Sequence, residues 1–232
     1  MANNVTKVNS IAIASIAKIN GQNDSDLAKI NGEEFTGFTA VEAHTLIATA
    51  TASASSSLSF VDGASSVVFD NTYDVYEFRF MNIHPPATGV SFGWQVNSTD
   101  DAGGGYDTSL FTSSHVQVYH DESDTATSFG YKLNYDQSND AGQELLAHGL
   151  GGNPPENDHG LSGILRIYDP SSTTYVKHFT AQTNYSYADY LQLSWITAGY
   201  INDTTAIDEI QFKMSSGNID AGTIKMFGLA KS

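Results

Sequence analysis

The sequence contains no cysteine, and that one absence removes disulfides, thiolate metal sites and a cysteine nucleophile together. Nothing about the redox compartment can be read from it either. Cations are nearly as scarce: ten Lys and Arg stand against 26 Asp and Glu in 232 residues, a formal charge of −16. Nucleic-acid binders neutralise phosphates with Lys and Arg, so no nucleic-acid partner is expected here. The same shortage argues against an anionic membrane surface. There is no apolar run of about 18 residues, so no transmembrane helix and no membrane insertion are expected. The opening MANNVTKVNS lacks the charged-then-apolar layout of a signal peptide, which leads us to expect synthesis in a cytoplasm. The carboxylate excess favours solubility and resistance to self-association. Calcium binding by those carboxylates is the competing reading.

Strong helix formers are comparatively few, whereas 12 Tyr, 12 Phe and many Thr, Ser, Gly and Asn are present. Aromatic and β-branched side chains pack well on a pleated surface, and Gly and Asn suit the turns between strands. The expectation is an all-β protein large enough to bury a core without covalent staples. Alternation at period two locates the strands. Tyr76, Phe78 and Phe80 share one face while Glu77 and Arg79 share the other; Val90–Val96, Leu191–Trp195 and Ile210–Met214 repeat the pattern. Shorter candidates are Val67–Phe69, Val116–Tyr119, Phe129–Asn134, Ile164–Tyr168, Tyr175–Thr180 and Thr223–Leu229. Asp169-Pro170-Ser171-Ser172 reads as a hairpin turn, and Ser215-Ser216-Gly217-Asn218 as another before the last strand. Short strands with frequent turns predict a jelly-roll-like two-sheet β-sandwich. Two long polar stretches, 97–112 and 137–158, are expected to be loops at its ends, where binding surfaces are commonly carried.

The chain divides into three regions: an extended N-terminal arm over 1–38, a linker over 39–56 rich in Ala, Ser and Thr, and a β-sandwich body over 57–232. A short helix through 40–50 competes with the linker. The arm holds two copies of one motif, Ile16-Ala17-Lys18-Ile19-Asn20-Gly21 and Leu27-Ala28-Lys29-Ile30-Asn31-Gly32. Each closes on Asn-Gly, the dipeptide that best accepts the positive φ of a tight turn. With so few aromatics, the arm is expected to order only against a partner.

Candidate chemistry is sparse. His120, Asp121 and Asp124 cluster, as do Glu156, Asp158 and His159, but neither spacing matches a zinc motif and both suit solvated loops. Asp136, Ser138, Asp140 and Glu144 echo a calcium loop, with Ala141 where its glycine should stand and the Glu too early. Gly103-Gly104-Gly105 follows no strand and precedes no Lys-Ser/Thr helix start, so it is not a phosphate loop. No G-x-S-x-G elbow exists. Trp94 and Trp195 each continue an apolar face, which assigns them to the core. His44, His84, His115, His148 and His178 show no ligand spacing. No catalytic residue, cofactor or metal site is expected, and the protein reads as a non-enzyme.

The IAKING…LAKING pattern resembles the attachment arms of phage tail-fibre and virion structural proteins. From Ser162 onward the chain is similar to virion proteins of marine and cyanobacterial phages. Tyr168-Asp169-Pro170-Ser171-Ser172-Thr173-Thr174-Tyr175 and Gly199-Tyr200-Ile201-Asn202-Asp203-Thr204 carry that likeness. The two regions cover a little under half the chain. The resemblance implies a homotrimeric β-rich component of the virion, attached to other virion proteins through Ile16, Lys18, Ile19, Asn20, Gly21, Leu27, Lys29, Ile30, Asn31 and Gly32. It implies no catalytic residues. A tail fibre or adhesin holding a host-surface glycan or receptor is the leading expectation. A capsid decoration (cement or head-fibre) protein, a virion-displayed polysaccharide depolymerase and a cellular carbohydrate-binding module compete with it.

Overall fold

In a computed structural model of the chain, the described residues are 44–100, 106, 109–152, 158–187 and 191–229, with six two-residue strands between 7 and 34. Two compact units divide it, Met1–Glu42 and Ala43–Ser232.

In the first unit, β1 (Lys7–Val8) pairs antiparallel with β2 (Ile11–Ala12), β3 (Lys18–Ile19) with β4 (Gln22–Asn23), and β5 (Lys29–Ile30) with β6 (Glu33–Glu34). Lys7, Lys18 and Lys29 therefore open three hairpins at a spacing of 11 residues. Only two copies are legible as IAKING and LAKING motifs. The first hairpin escapes because Asn9-Ser10 stands where the others carry Asn-Gly.

The second unit holds β7 (His44–Ser55), β8 (Leu58–Val61), β9 (Val75–His84), β10 (Val90–Ser98), β11 (Phe111–Asp121), β12 (Thr127–Tyr131), β13 (Ser138–Asp140), β14 (Glu144–Leu150), β15 (Leu161–Tyr168), β16 (Lys177–Tyr187), β17 (Leu191–Ile201), β18 (Ile207–Met214) and β19 (Ile219–Leu229). One layer runs β7-β19-β9-β15-β16-β17-β11, with β12 and β13 on the free edge of β11. The other runs β8-β18-β10-β14 and meets the first at Leu150 and Tyr187. The orders β7-β19-β9-β15 and β8-β18-β10-β14 are those of an eight-stranded jelly roll. It is enlarged by β11–β13 between β10 and β14, and by β16 and β17 between β15 and β18.

Aromatic side chains from alternate strand positions join the layers. Phe60 meets Phe78 at 5.4 Å between ring centroids, Phe80 meets Phe212 at 5.3 Å, and Trp94 meets both Phe111 and Phe179 at 5.0 Å. These edge-on contacts each add about 1 kcal/mol beyond the area they bury. Trp94 and Trp195 are both buried, as their apolar faces predicted.

Four expectations need correction. The region 39–56 is neither linker nor helix along most of its length, because β7 pairs with β19 from Ser55 to His44. Its Ala and Ser residues carry little strand signal, and only Ala52 is buried, so the partner strand organises it. Val67 and Phe69 are buried but lie in a loop, where Gly63 N–H donates to Val67 O and Phe69 N–H to Asp62 Oδ1. The 137–158 stretch contains β13 and the mostly buried β14. Finally, Ser215–Asn218 makes no hairpin: β18 pairs with β10 and β8, while β19 pairs with β7 and β9, so the turn crosses between layers.

Candidate functional site

Of the ten arm residues singled out by the repeat, Lys18 and Ile19 lie on β3 and Lys29 and Ile30 on β5. Ile16, Asn20, Gly21, Leu27, Asn31 and Gly32 lie outside the described residues. In both ladders the Lys pairs with the last residue of the returning strand, Lys18 with Asn23 and Lys29 with Glu34.

In the body, the expected acid–histidine groupings are dispersed. His120 Nε2 and Asp124 Oδ1 are 3.1 Å apart and exposed, while Asp121 closes the same turn by accepting from Ser123, Thr125 and the Ala126 amide. Those hydrogen bonds hold its carboxyl well below the usual carboxylate range. Asp158 and His159 are 3.9 Å apart, and Glu156 lies outside the described residues. The calcium-like set does not converge. Asp136 accepts from the His115 amide and the Tyr131 hydroxyl, Asp140 caps Gly142, and Glu144 turns between the layers. Gly103-Gly104-Gly105 lies outside the described residues.

The structure assembles a buried polar cluster that sequence spacing missed. His115 and Glu144 are both fully buried, with His115 Nε2 3.1 Å from Glu144 Oε1. Ser113 Oγ donates to Glu144 Oε2 at 2.9 Å, and His115 Nδ1 lies 3.4 Å from Asp136 Oδ1. Burial raises the Glu144 carboxyl, against the pull of His115 and Ser113. A serine, a histidine and two carboxylates in contact resemble acid–base machinery. Here the histidine and Glu144 are sealed between the sheets, with Ser113 and Asp136 half-buried beside them. On the outer side of the larger layer sits a second buried carboxylate, Glu77. Arg79 Nε donates to its Oε1 at 2.6 Å, and Arg166 Nε and Nη2 each reach Oε2 at 2.7 Å. Burial alone would raise Glu77, but the two guanidiniums outweigh it and hold the carboxyl below its ordinary value.

Beside the histidine cluster, where β14 splays from β16 and β17, an open cavity of about 230 Å³ is lined largely by aromatic side chains. Its buried floor is Tyr185, Leu193 and Trp195; half-buried Tyr119, Tyr135, His148 and Tyr187 form the walls, with Lys132 and Gln117 alongside. The 3-10 turn Leu133–Tyr135 places Tyr135 over Trp195 at 5.2 Å and over His148 at 4.5 Å. Tyr135 Oη is 3.2 Å from His148 Nδ1, and Tyr185 Oη donates to the His148 carbonyl at 3.1 Å. Burial lowers His148, so the ring is neutral at pH 7, and raises the phenols of Tyr135 and Tyr185, which keep their protons. Gly149, at φ +72°, makes room: a Cβ there would stand 2.2 Å from the Tyr187 ring.

The outer face of β16, β17, β11 and β12 is different again. Gln182, Ile196, Val116 and Tyr131 form one cross-strand row, and Val118 pairs with Phe129 beside it. Phe129 is 76% exposed and Ile196 43%, and between Thr112 and His120 no outward position of β11 carries a formal charge.

Among the described residues no group of three or more His, Asp or Glu is placed to hold a metal ion. Among the described residues no helix is long and apolar enough to cross a membrane. Comparison with protein-family models, curated proteins and solved structures gives no match to this chain.

Proposed function

We propose that the protein is a non-enzymatic structural component of a phage particle, docked through its N-terminal hairpins, with the jelly roll projecting as a tail fibre or adhesin. The observation that carries this reading is the division of the chain into a tandem-hairpin unit, Met1–Glu42, and a jelly-roll body, Ala43–Ser232. A repeated short unit offers the same contact several times, which raises weak docking into firm attachment. Jelly rolls serve in viral capsids and in lectins, an analogy of fold that agrees with the resemblance of the arm. The uncharged outer face around Ile196 and Phe129 favours a homo-oligomer, because copies of a −16 chain repel least where neither brings charge. The sealed state of His115 and Glu144 agrees with a role other than catalysis.

The test is deletion of residues 1–42 combined with gold-labelled antibody on purified particles. The shortened chain is expected to fold and to be missing from particles. Its continued incorporation would overturn the docking role. Gold on the tail supports the fibre or adhesin, whereas gold over the head makes the protein a capsid decoration.

A further inference from the structure

We infer that the aromatic cavity between β11, β14, β16 and β17 is a carbohydrate subsite that holds a single pyranose ring. This deepens the adhesin reading by giving it a ligand class and a place. It moves recognition away from the tips of the 97–112 and 137–158 stretches to a recess formed mainly by strands.

Size comes first. At about 230 Å³ the cavity is smaller than the roughly 300–1,000 Å³ that drug-sized ligands occupy. One six-membered sugar ring suits it, and a longer glycan would leave through the open side.

The chemistry of the lining comes second. A pyranose presents an apolar C–H face and a rim of hydroxyls, so it needs flat rings beside adaptable polar tips. Tyr119, Tyr135 and Tyr187 supply the rings above the buried Trp195, and the phenols, Lys132 and Gln117 supply the tips. These tips are rotatable hydroxyl, ammonium and amide groups, suited to a polyol whose hydroxyls point in several directions. The neutral His148 ring, with Nδ1 3.2 Å from Tyr135 Oη, carries one N–H and one bare nitrogen, so with that phenol it adds a donor and an acceptor to the lining.

The charge of the lining is the third point. In a protein with 26 carboxylic residues, this lining holds none, and its one ionised group is Lys132. A uronic acid would therefore be accepted alongside neutral sugars, with Lys132 facing its carboxylate.

The experiment titrates the full-length chain with methyl glucoside, methyl galactoside, N-acetylglucosamine and methyl glucuronide, followed by tryptophan fluorescence and saturation-transfer NMR. Adenine serves as the flat, non-sugar comparison. Trp195 reports from the cavity, while Trp94 lies in the aromatic core with Phe111 and Phe179. At least one sugar is expected to give a saturable change, weakened about tenfold in Tyr135→Ala, the worth of one stacked ring. Lys132→Ala, at a half-exposed position, is expected to keep the fold and reduce glucuronide binding more than neutral-sugar binding. No saturable response to any of the four sugars overturns the subsite. So does a response unchanged by both substitutions, or binding of adenine alone. Sugar binding is read on the isolated chain, so its failure is distinct from failure of the chain to join a particle.

Discussion

Two regions of the jelly-roll body, one on β9 of the larger layer and one on β14 of the smaller, each bury a carboxylate, and they resolve the cost in opposite ways. At the β9–β15 end, Glu77 lies on the outer side under two guanidiniums, one of which, Arg79, also covers the Phe227 ring at 4.4 Å. At the β11 end, Glu144 lies between the layers with only a histidine and a serine for company. Both carboxylates are fully buried, yet Glu77 is held below its ordinary range and Glu144 above it. Burial alone therefore does not set the sign; what decides is whether fixed positive charge accompanies it. The Glu77 end is an ionic clamp, and the Glu144 end is a polar seam beside a cavity.

The largest expected effect comes from removing the clamp. Glu77→Ala leaves Arg79 and Arg166 facing each other without their carboxylate, and should cost about 3 kcal/mol in urea unfolding at pH 7. A loss below about 1 kcal/mol would mean that the arginines are solvated independently and that no clamp exists. Next is Glu144→Leu, which relieves the burial of the carboxyl but strands His115 and Ser113. A loss of about 2 kcal/mol is expected. Glu144→Gln keeps an acceptor for Ser113 and should cost about 1 kcal/mol or less, so equal losses in the Leu and Gln variants would break the contrast.

The pH dependence sharpens the comparison further. A carboxyl whose folded pKa is depressed contributes stability above its unfolded pKa, and loses it as pH falls through the folded value. Glu77 follows that rule, so the deficit of Glu77→Gln should be full at pH 7 and shrink in acid. Glu144 follows the reverse. Its contribution is present below the unfolded pKa and declines as pH rises toward the raised folded pKa. Glu144→Gln should therefore improve relative to the parent chain as pH rises from about 4 to 7. Parallel pH profiles for the two Gln variants would refute the opposite assignments. The smallest effect is expected for Arg166→Lys. It exchanges two parallel N–H donors for one ammonium at a half-exposed position, costing about 1 kcal/mol or less in thermal unfolding.

Glu77 and Glu144 also mark how far the sequence could be read. Glu77 sits on a strand whose alternation is plain, so its outward face was legible, although its partner Arg166 on β15 was not. Glu144 looked like the misplaced end of a calcium loop, because nothing local distinguishes a buried β14 from a polar turn. His115 carried no spacing signal, since its contacts lie on Asp136 and Glu144, each reached only after intervening strands. The cavity was illegible for the same reason: Tyr135, His148, Tyr187 and Trp195 come from four separate segments.

The sequence by itself determined the all-β class, the strands β9, β10, β17 and β18, the turn from β15 to β16, and the burial of both tryptophans. These follow from period-two alternation and turn chemistry, which each segment expresses within a few residues. The repeat in the arm is equally local, and two of its three hairpins could be read from it. Only the tertiary structure decided that β7 belongs to the sheet, that Ser215–Asn218 crosses between layers, and that His115 meets Glu144. Alternation tells a strand which of its faces to bury. Which strand lies beside it is settled by the fit of the assembled core, where Phe60, Phe78, Phe80 and Phe212 close one end and Trp94, Phe111 and Phe179 the other.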